Sequence, residues 1–258
     1  GKTRVLTRRI AHLISEGVPP WQILAVTFTN KAAAEMKERV VEIVGEPAER
    51  ILVSTFHASC SRFLRRDIEP LGRTRSFTIY DMDDQKRLVK QIVKDEGLDA
   101  KAWPANKLMR AIDQAKNQMK GPDVVARDLQ SAPGDPTPRI YRAYEAGLKA
   151  ANAVDFNDLI NLVVRLWRDH PDVLERYRQR YRYLLVDEYQ DTNRAQYLLV
   201  KMLGSGHRNV MVVGDDDQSI YRFRGADVRN ILDFKKDFPD ATVVRLEQNY
   251  RSTKHILD

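Results

Sequence analysis

Five short apolar runs, ILAVTFT (23–29), ILVSTF (51–56), YLLVDE (183–188), NVMVVGD (209–215) and ATVVRLEQ (241–248), alternate with segments of helical periodicity. A strand that is apolar on successive residues, rather than on every second one, has both faces covered. Strands of that kind alternating with helices build a parallel sheet clothed by helices on either side. The expected fold class is therefore α/β with a parallel sheet. Such sheets collect their chemistry at the carboxyl ends of the strands, which is where the polar signatures of this chain fall.

The helices follow from period and punctuation. Leu6, Ile10, Leu13 and Ile14 share one helical face, and Gly17, Pro19 and Pro20 end that segment. A helix over 31–44 is expected to start from Asn30 as its N-cap and stop at Gly45, and another spans about 57–69. Beyond SFTIYD (76–81) the pattern is helical over roughly 82–97, 104–119, 139–152 and 156–169, which predicts an inserted all-α domain. Further helices are expected near 193–203 and 226–237. The segment SAPGDPTP (131–138) is an exposed loop by composition.

Composition bounds the function. The single cysteine, Cys60, excludes an internal disulfide framework and a cysteine-rich zinc site, and suits a reducing compartment such as the cytoplasm. No apolar run reaches the roughly 20 residues of a membrane span. The net charge is +7, and residues 1–76 hold 13 Lys+Arg against 8 Asp+Glu. That asymmetry favours a polyanionic partner.

Gly1, Lys2 and Thr3 are the last three positions of G-x-x-x-x-G-K-[ST], a loop whose amides, lysine and hydroxyl hold phosphates and Mg2+. An amphipathic helix follows directly, as such a loop requires, and the motif's missing start suggests an N-terminus cut within it. The run YLLVDE ends in Asp187, suited to Mg2+, and Glu188, suited to orienting and deprotonating an attacking water. Gln218, after another strand and a carboxylate turn, is placed to sense a γ-phosphate, and Arg251 to stabilise charge on a transferring phosphoryl group. Asp215, Asp216 and Asp217 read as a solvated turn. The guanine signature Asn-Lys-x-Asp is absent, since NKAA at 30–33 lacks the aspartate, so ATP is the expected nucleotide, with Tyr250 a candidate to stack on its base.

A second constellation suits a polyanion. Phe28 with Thr27 and Thr29 lies at one strand end, Thr55, Phe56 and His57 at another, and Tyr221, Phe223 and Arg224 follow a third. Aromatic faces for bases with Thr, Asn30 and Arg for phosphates hold single strands without reading sequence. The run RYRQRYRY (176–183) also mixes basic and aromatic residues, but is expected to be a solvated helix face with its tyrosines turned inward. Trp21, Trp103 and Trp167 are expected to be structural.

Taken in order, GKT, AVTFTNKAAAEMKERV, STFHA, DFNDLI, LLVDEYQDTN, VVGDDDQSIYRFRGAD and LEQNYRST resemble the motifs of the UvrD/Rep/PcrA family of superfamily 1 DNA helicases over essentially the whole chain. The resemblance implies a RecA-like P-loop NTPase domain, called 1A, over 1–76 and 156–258, interrupted by a helical domain, 1B, over 77–155. It implies that Gly1, Lys2, Thr3 and Arg4 bind ATP, that Thr3 and Asp187 hold Mg2+, and that Glu188 is the catalytic base. Gln218 would be the γ-phosphate sensor, Arg251 an arginine finger and Tyr250 the adenine stack. Phe28, Thr29, Asn30, Thr55, His57, Tyr221, Phe223 and Arg224 would line a single-stranded DNA track. Such enzymes move 3′ to 5′ and open duplex junctions, often in repair or replication and beside partner proteins. Phe223 stands where the family usually has tryptophan. The chain also stops before a second RecA-like domain, so by itself it is expected to be nearly inactive. Two competing readings are a non-catalytic DNA- or partner-binding module and the motor of a helicase-nuclease.

Overall fold

The computed structural model of the chain describes residues 1–129, 134–215, 229–232 and 234–246. Its centre is a four-stranded parallel sheet of β1 (Ile23–Thr27), β2 (Leu52–Thr55), β5 (Tyr183–Val186) and β6 (Val210–Val212), in the order β2-β1-β5-β6. All five residues of β1 are buried, as continuous apolarity requires. Side-chain alternation divides them between two cores. Ile23 and Ala25, with Leu185, pack against Leu6 and Ile10 of α1 (Lys2–Ser15) and Met36 and Val40 of α2 (Asn30–Val44). On the opposite face Leu24, Val26, Leu184 and Val186 meet Phe56, Cys60 and Phe63 of α3 (Phe56–Asp67) and Val163 and Trp167 of α8 (Phe156–Asp169). The second core extends to α9 (Pro171–Arg180) and α10 (Arg194–Gly204).

Between the two halves of this unit the chain leaves and returns at one place. β3 (Thr78–Ile79) and β4 (Ala153–Val154) pair in parallel, Thr78 with Ala153 and Ile79 with Val154. The excursion they bracket holds α4 (Met82–Asp95), α5 (Ala105–Asn117), α6 (Pro122–Asp128) and α7 (Thr137–Ala150), which enclose a separate apolar cluster around Val89, Leu108, Ile112, Ile140 and Leu148.

The cluster meets the sheet unit through a buried charge knot. Nζ of Lys116, on α5, lies 2.6 Å from Asp155 Oδ2, 2.7 Å from Asp158 Oδ1 and 2.6 Å from Glu145 Oε1. Asp155 and Asp158 are also the reciprocal capping pair that starts α8. Tyr144 Oη adds a hydrogen bond to Asp155 Oδ2 at 3.0 Å. Three carboxylates converge on one ammonium, so burial together with the neighbouring carboxylates pushes the Asp158 carboxyl up to about 7, while Lys116 is held protonated.

Several expectations are corrected. The cap of α2 is Thr29, whose Oγ1 accepts the Ala32 amide at 3.1 Å, and Asn30 is already helical. Gly45 does end that helix, at φ 73°. Helix α6 escaped the sequence reading because it is short and weakly periodic; Pro122 at its first turn is the signal that was available. The fifth apolar run makes no strand over 241–246, and Val243 and Val244 stay 62% and 76% exposed. β-Propensity makes a strand only where a neighbouring strand offers a ladder. Of the three tryptophans Trp167 is buried and Trp103 half-buried, but Trp21 is 38% exposed. The tyrosines of RYRQRYRY do turn inward: Tyr177 and Tyr181 are buried against Phe63, with ring centroids 4.6 and 5.7 Å away.

Candidate functional site

The carboxyl ends of β1, β2, β5 and β6 lie side by side, with Thr27 opposite Thr55 and Val186 between Val26 and Val212. α1 begins where β5 ends, which brings the two halves of the phosphate constellation together. Nζ of Lys2 donates to Glu188 Oε2 at 2.8 Å, and Oγ1 of Thr3 donates to Asp187 Oδ2 at 3.3 Å. These residues are 186 and 184 positions apart in sequence. Asp187 is 3% exposed. Its carboxyl is pushed above the usual range by burial and then by the Glu188 charge, against which Thr3 and Lys2 act. A buried carboxylate beside a hydroxyl is an all-oxygen donor pair of the kind that would suit Mg2+.

Glu188 sits at a sharp bend, in the left-handed region at φ 48° and ψ 47°. That conformation is strained for a residue with a side chain. Ladder bonds hold it from both sides: the Asp187 amide donates to Val26 O at 3.0 Å and the Tyr189 amide to Val213 O at 2.9 Å.

A residue absent from the sequence reading organises this corner. Gln190 is 1% exposed. Its Nε2 donates to Glu188 Oε2 at 3.0 Å and its Oε1 accepts the Asp215 amide at 3.0 Å. Gly214 leaves room for it, because a Cβ there would lie 2.7 Å from Gln190 Oε1. Past the segment 216–228, Asn230 Nδ2 donates to Thr192 O at 2.8 Å. Both flanks of the segment that carries Gln218, Tyr221, Phe223 and Arg224 are thus tied to the DEYQDT stretch. Those four residues, with Asp216, Asp217, Tyr250 and Arg251, lie outside the described residues.

The other strand-end residues are gathered as expected but are less open. Thr27 is 2% exposed, so it forms part of the core and does not offer its hydroxyl to a bound strand as expected. Phe28 is half-buried, edge-on to Phe56 at 5.7 Å. The hydroxyls of Thr29 and Thr55 accept the Ala32 and Ala58 amides and so cap α2 and α3. His57 stacks on Phe156, with ring centroids 3.8 Å apart, and burial lowers its pKa to about 4. It is therefore neutral at pH 7 and can offer a polymer a hydrogen bond or a ring face but no charge. Thr29 and Asn30 are exposed, Arg4 is exposed at the start of α1, and Gly1 precedes that helix.

A parallel α/β sheet with a lysine and a hydroxyl facing an Asp-Glu pair at its carboxyl edge defines a phosphate-handling class of fold. The comparisons with known proteins then place the chain: residues 1–239 match the model of the UvrD/REP helicase N-terminal domain, and the chain belongs to that family. It is 50% identical to the ATP-dependent DNA helicase PcrA of Staphylococcus aureus (strain Mu50) over 259 aligned residues, which cover 100% of this chain and 36% of that protein. Against PcrA of Staphylococcus epidermidis (strain ATCC 12228) the identity is 49% with the same coverage. The chain thus spans about a third of the length of these relatives. Among the described residues no helix is long and apolar enough to cross a membrane.

Proposed function

We propose that the chain is the 1A/1B portion of an ATP-driven DNA helicase, with residues 1–76 and 156–258 forming 1A and residues 77–155 the helical insertion 1B. The observation that carries this reading is the meeting of Lys2 and Thr3 with Glu188 and Asp187 across more than 180 residues. In this reading Lys2 holds ATP phosphates, and Thr3 and Asp187 hold Mg2+, which neutralises phosphate charge when bound. Glu188 orients the attacking water and accepts its proton. The Lys2–Glu188 ion pair keeps the two groups in register before nucleotide arrives.

Gln218, Arg251 and Tyr250 keep the roles the family resemblance implies, and Phe28, Thr29, Asn30, Thr55, His57, Tyr221, Phe223 and Arg224 line the DNA track. The ties from Gln190 to Glu188 and Asp215, and from Asn230 to Thr192, support a loop that reports nucleotide state to the DNA grip. The substrate is single-stranded DNA and its duplex junctions, with 3′-to-5′ movement in repair or replication. The chain covers 36% of the helicase relatives' length, and turnover by the 258-residue chain alone is expected to be low.

The test is DNA-stimulated ATP hydrolysis by the parent protein. Lys2→Ala abolishes turnover, whereas Glu188→Gln retains ATP binding and loses hydrolysis. Wild-type turnover by either variant overturns the assignment.

A further inference from the structure

Along the outer edge of the sheet runs a groove that the strand-end site does not use. Among the described residues β2 pairs with β1 alone, and its free side is a depression of about 820 Å³ lined by Asn30 and Lys37 of α2, by Ser54 of β2, and by Arg50, Arg62 and Arg180. A second depression, of about 520 Å³, shares Trp21, Arg62, Arg180 and Tyr181 with the first and carries the groove on toward Arg66. One end therefore opens beside Asn30 and Ser54, next to the strand-end residues Thr29 and Thr55. The other lies at Trp21 and Arg180, where β1 and β5 begin.

The charge of the groove is one-sided. Arg50, Arg62 and Arg180 are exposed, and among the described residues none of them forms an ion pair. Glu49 is the carboxylate lining the first depression and faces Lys37. Asp67, which lines the second, is already held by Tyr177 Oη at 2.6 Å and Arg176 at 3.1 Å. Trp21 lies partly open in the same groove, with the Arg50 guanidinium 5.8 Å from its ring centroid. Arginines free of carboxylate partners among the described residues, spaced along a channel with an aromatic ring among them, are what single-stranded nucleic acid requires: phosphates on one side and a stacking plane for a base.

An added peptide strand fits less well. Lys37 Nζ already donates to Ile51 O at 2.9 Å and to Glu49 O at 2.7 Å. The carbonyls at the start of this edge are therefore engaged, and a lysine lying over an edge strand discourages pairing.

We infer that this edge groove is a second contact surface for single-stranded DNA, receiving the strand where it leaves the strand-end track at Asn30 and leading its phosphates past Arg62 and Arg180 to Trp21. The inference rests on the DNA-binding reading above, and the experiment separates the two. Fluorescence anisotropy is measured on the parent protein with labelled oligothymidylates of roughly 8 nucleotides, within a single-site footprint, and roughly 24, beyond one. Arg62→Ala with Arg180→Ala is expected to leave short-strand affinity unchanged and to weaken long-strand binding about tenfold. The salt slope of long-strand binding should fall by about 1.4, at about 0.7 per lost single-strand phosphate contact.

Trp21→Ala alone should weaken only the long strand, and it reads the same surface if the double variant melts early. Equal loss at both lengths, or loss at neither, overturns the groove and leaves the strand-end track standing. Wild-type parent protein that binds neither length overturns both. A polyglutamate peptide that binds wild type and not the double variant, without competing with either oligonucleotide, assigns the groove to an acidic protein partner and overturns the DNA reading of it.

Discussion

At the scale of single residues, Gln190 is consequential because it is buried and touches both Glu188 and the main-chain amide of Asp215, 25 positions away, which precedes the 216–228 segment. It carries no charge, and such a contact leaves no trace in local pattern, unlike the charged motifs at Lys2 and Asp187. Gln190→Ala removes the hydrogen bond that the half-buried Asp215 amide makes to Gln190, worth about 1 kcal/mol, and releases Glu188 on one side. Gly214→Ala should crowd the same contact from outside, since the added Cβ would lie 2.5 Å from Ile231 Cδ1 and 2.7 Å from Gln190 Oε1. Both variants of the parent protein are expected to lose ATP turnover by about tenfold or more while ATP binding changes little, as measured by steady-state hydrolysis alongside nucleotide titration. Turnover equal to wild type in both would reduce Gln190 to a packing residue.

At the scale of elements, the strands were readable because burial on both faces writes apolarity into every position, as in β1 and β5. Element edges were less so. Asn30 and Thr29 are both good caps, and only the geometry of the Ala32 amide decides between them. The run 241–248 shows the opposite failure, of strand composition without a strand partner over 241–246. The contact between α3 and α8 makes a testable case of its own, because His57 on α3 stacks on Phe156 on α8. The folded His57 titrates near 4, against about 6.5 in the unfolded chain. Below pH 6.5 the unfolded chain therefore takes up a proton that the folded chain refuses. The stabilisation is full above 6.5 and is lost as pH falls toward 4, by about 2 kcal/mol between pH 7 and pH 5. Urea denaturation at the two pH values should show that loss in wild type and a correspondingly smaller one in His57→Phe. An identical pH dependence in the variant would place the lowered titration elsewhere.

At the scale of the whole molecule, the apolar cluster of the helical excursion meets the α8 core of the sheet unit through a knot made of charges, which leaves no local trace because Lys116, Glu145, Asp155 and Asp158 sit at ordinary helical surface spacings. The motif DFNDLI was visible as a family signature, yet its physical task emerges only in three dimensions: Asp155 and Asp158 cap α8 while holding α5 and α7 to it. A single buried ammonium answering three carboxylates is more than a surface ion pair, and removing it strands negative charge in a dry site. Lys116→Met should therefore destabilise the chain by about 3–5 kcal/mol in urea denaturation. Lys116→Met combined with Asp155→Asn and Asp158→Asn should recover much of that loss, since asparagine still caps a helix and no uncompensated charge remains on α8. Recovery would mean that the knot sets how the helical excursion sits on the sheet more than how stable either core is. If the triple variant is as unstable as the single one, the geometry of the Lys116 hydrogen bonds, and not its charge, is what joins the two cores.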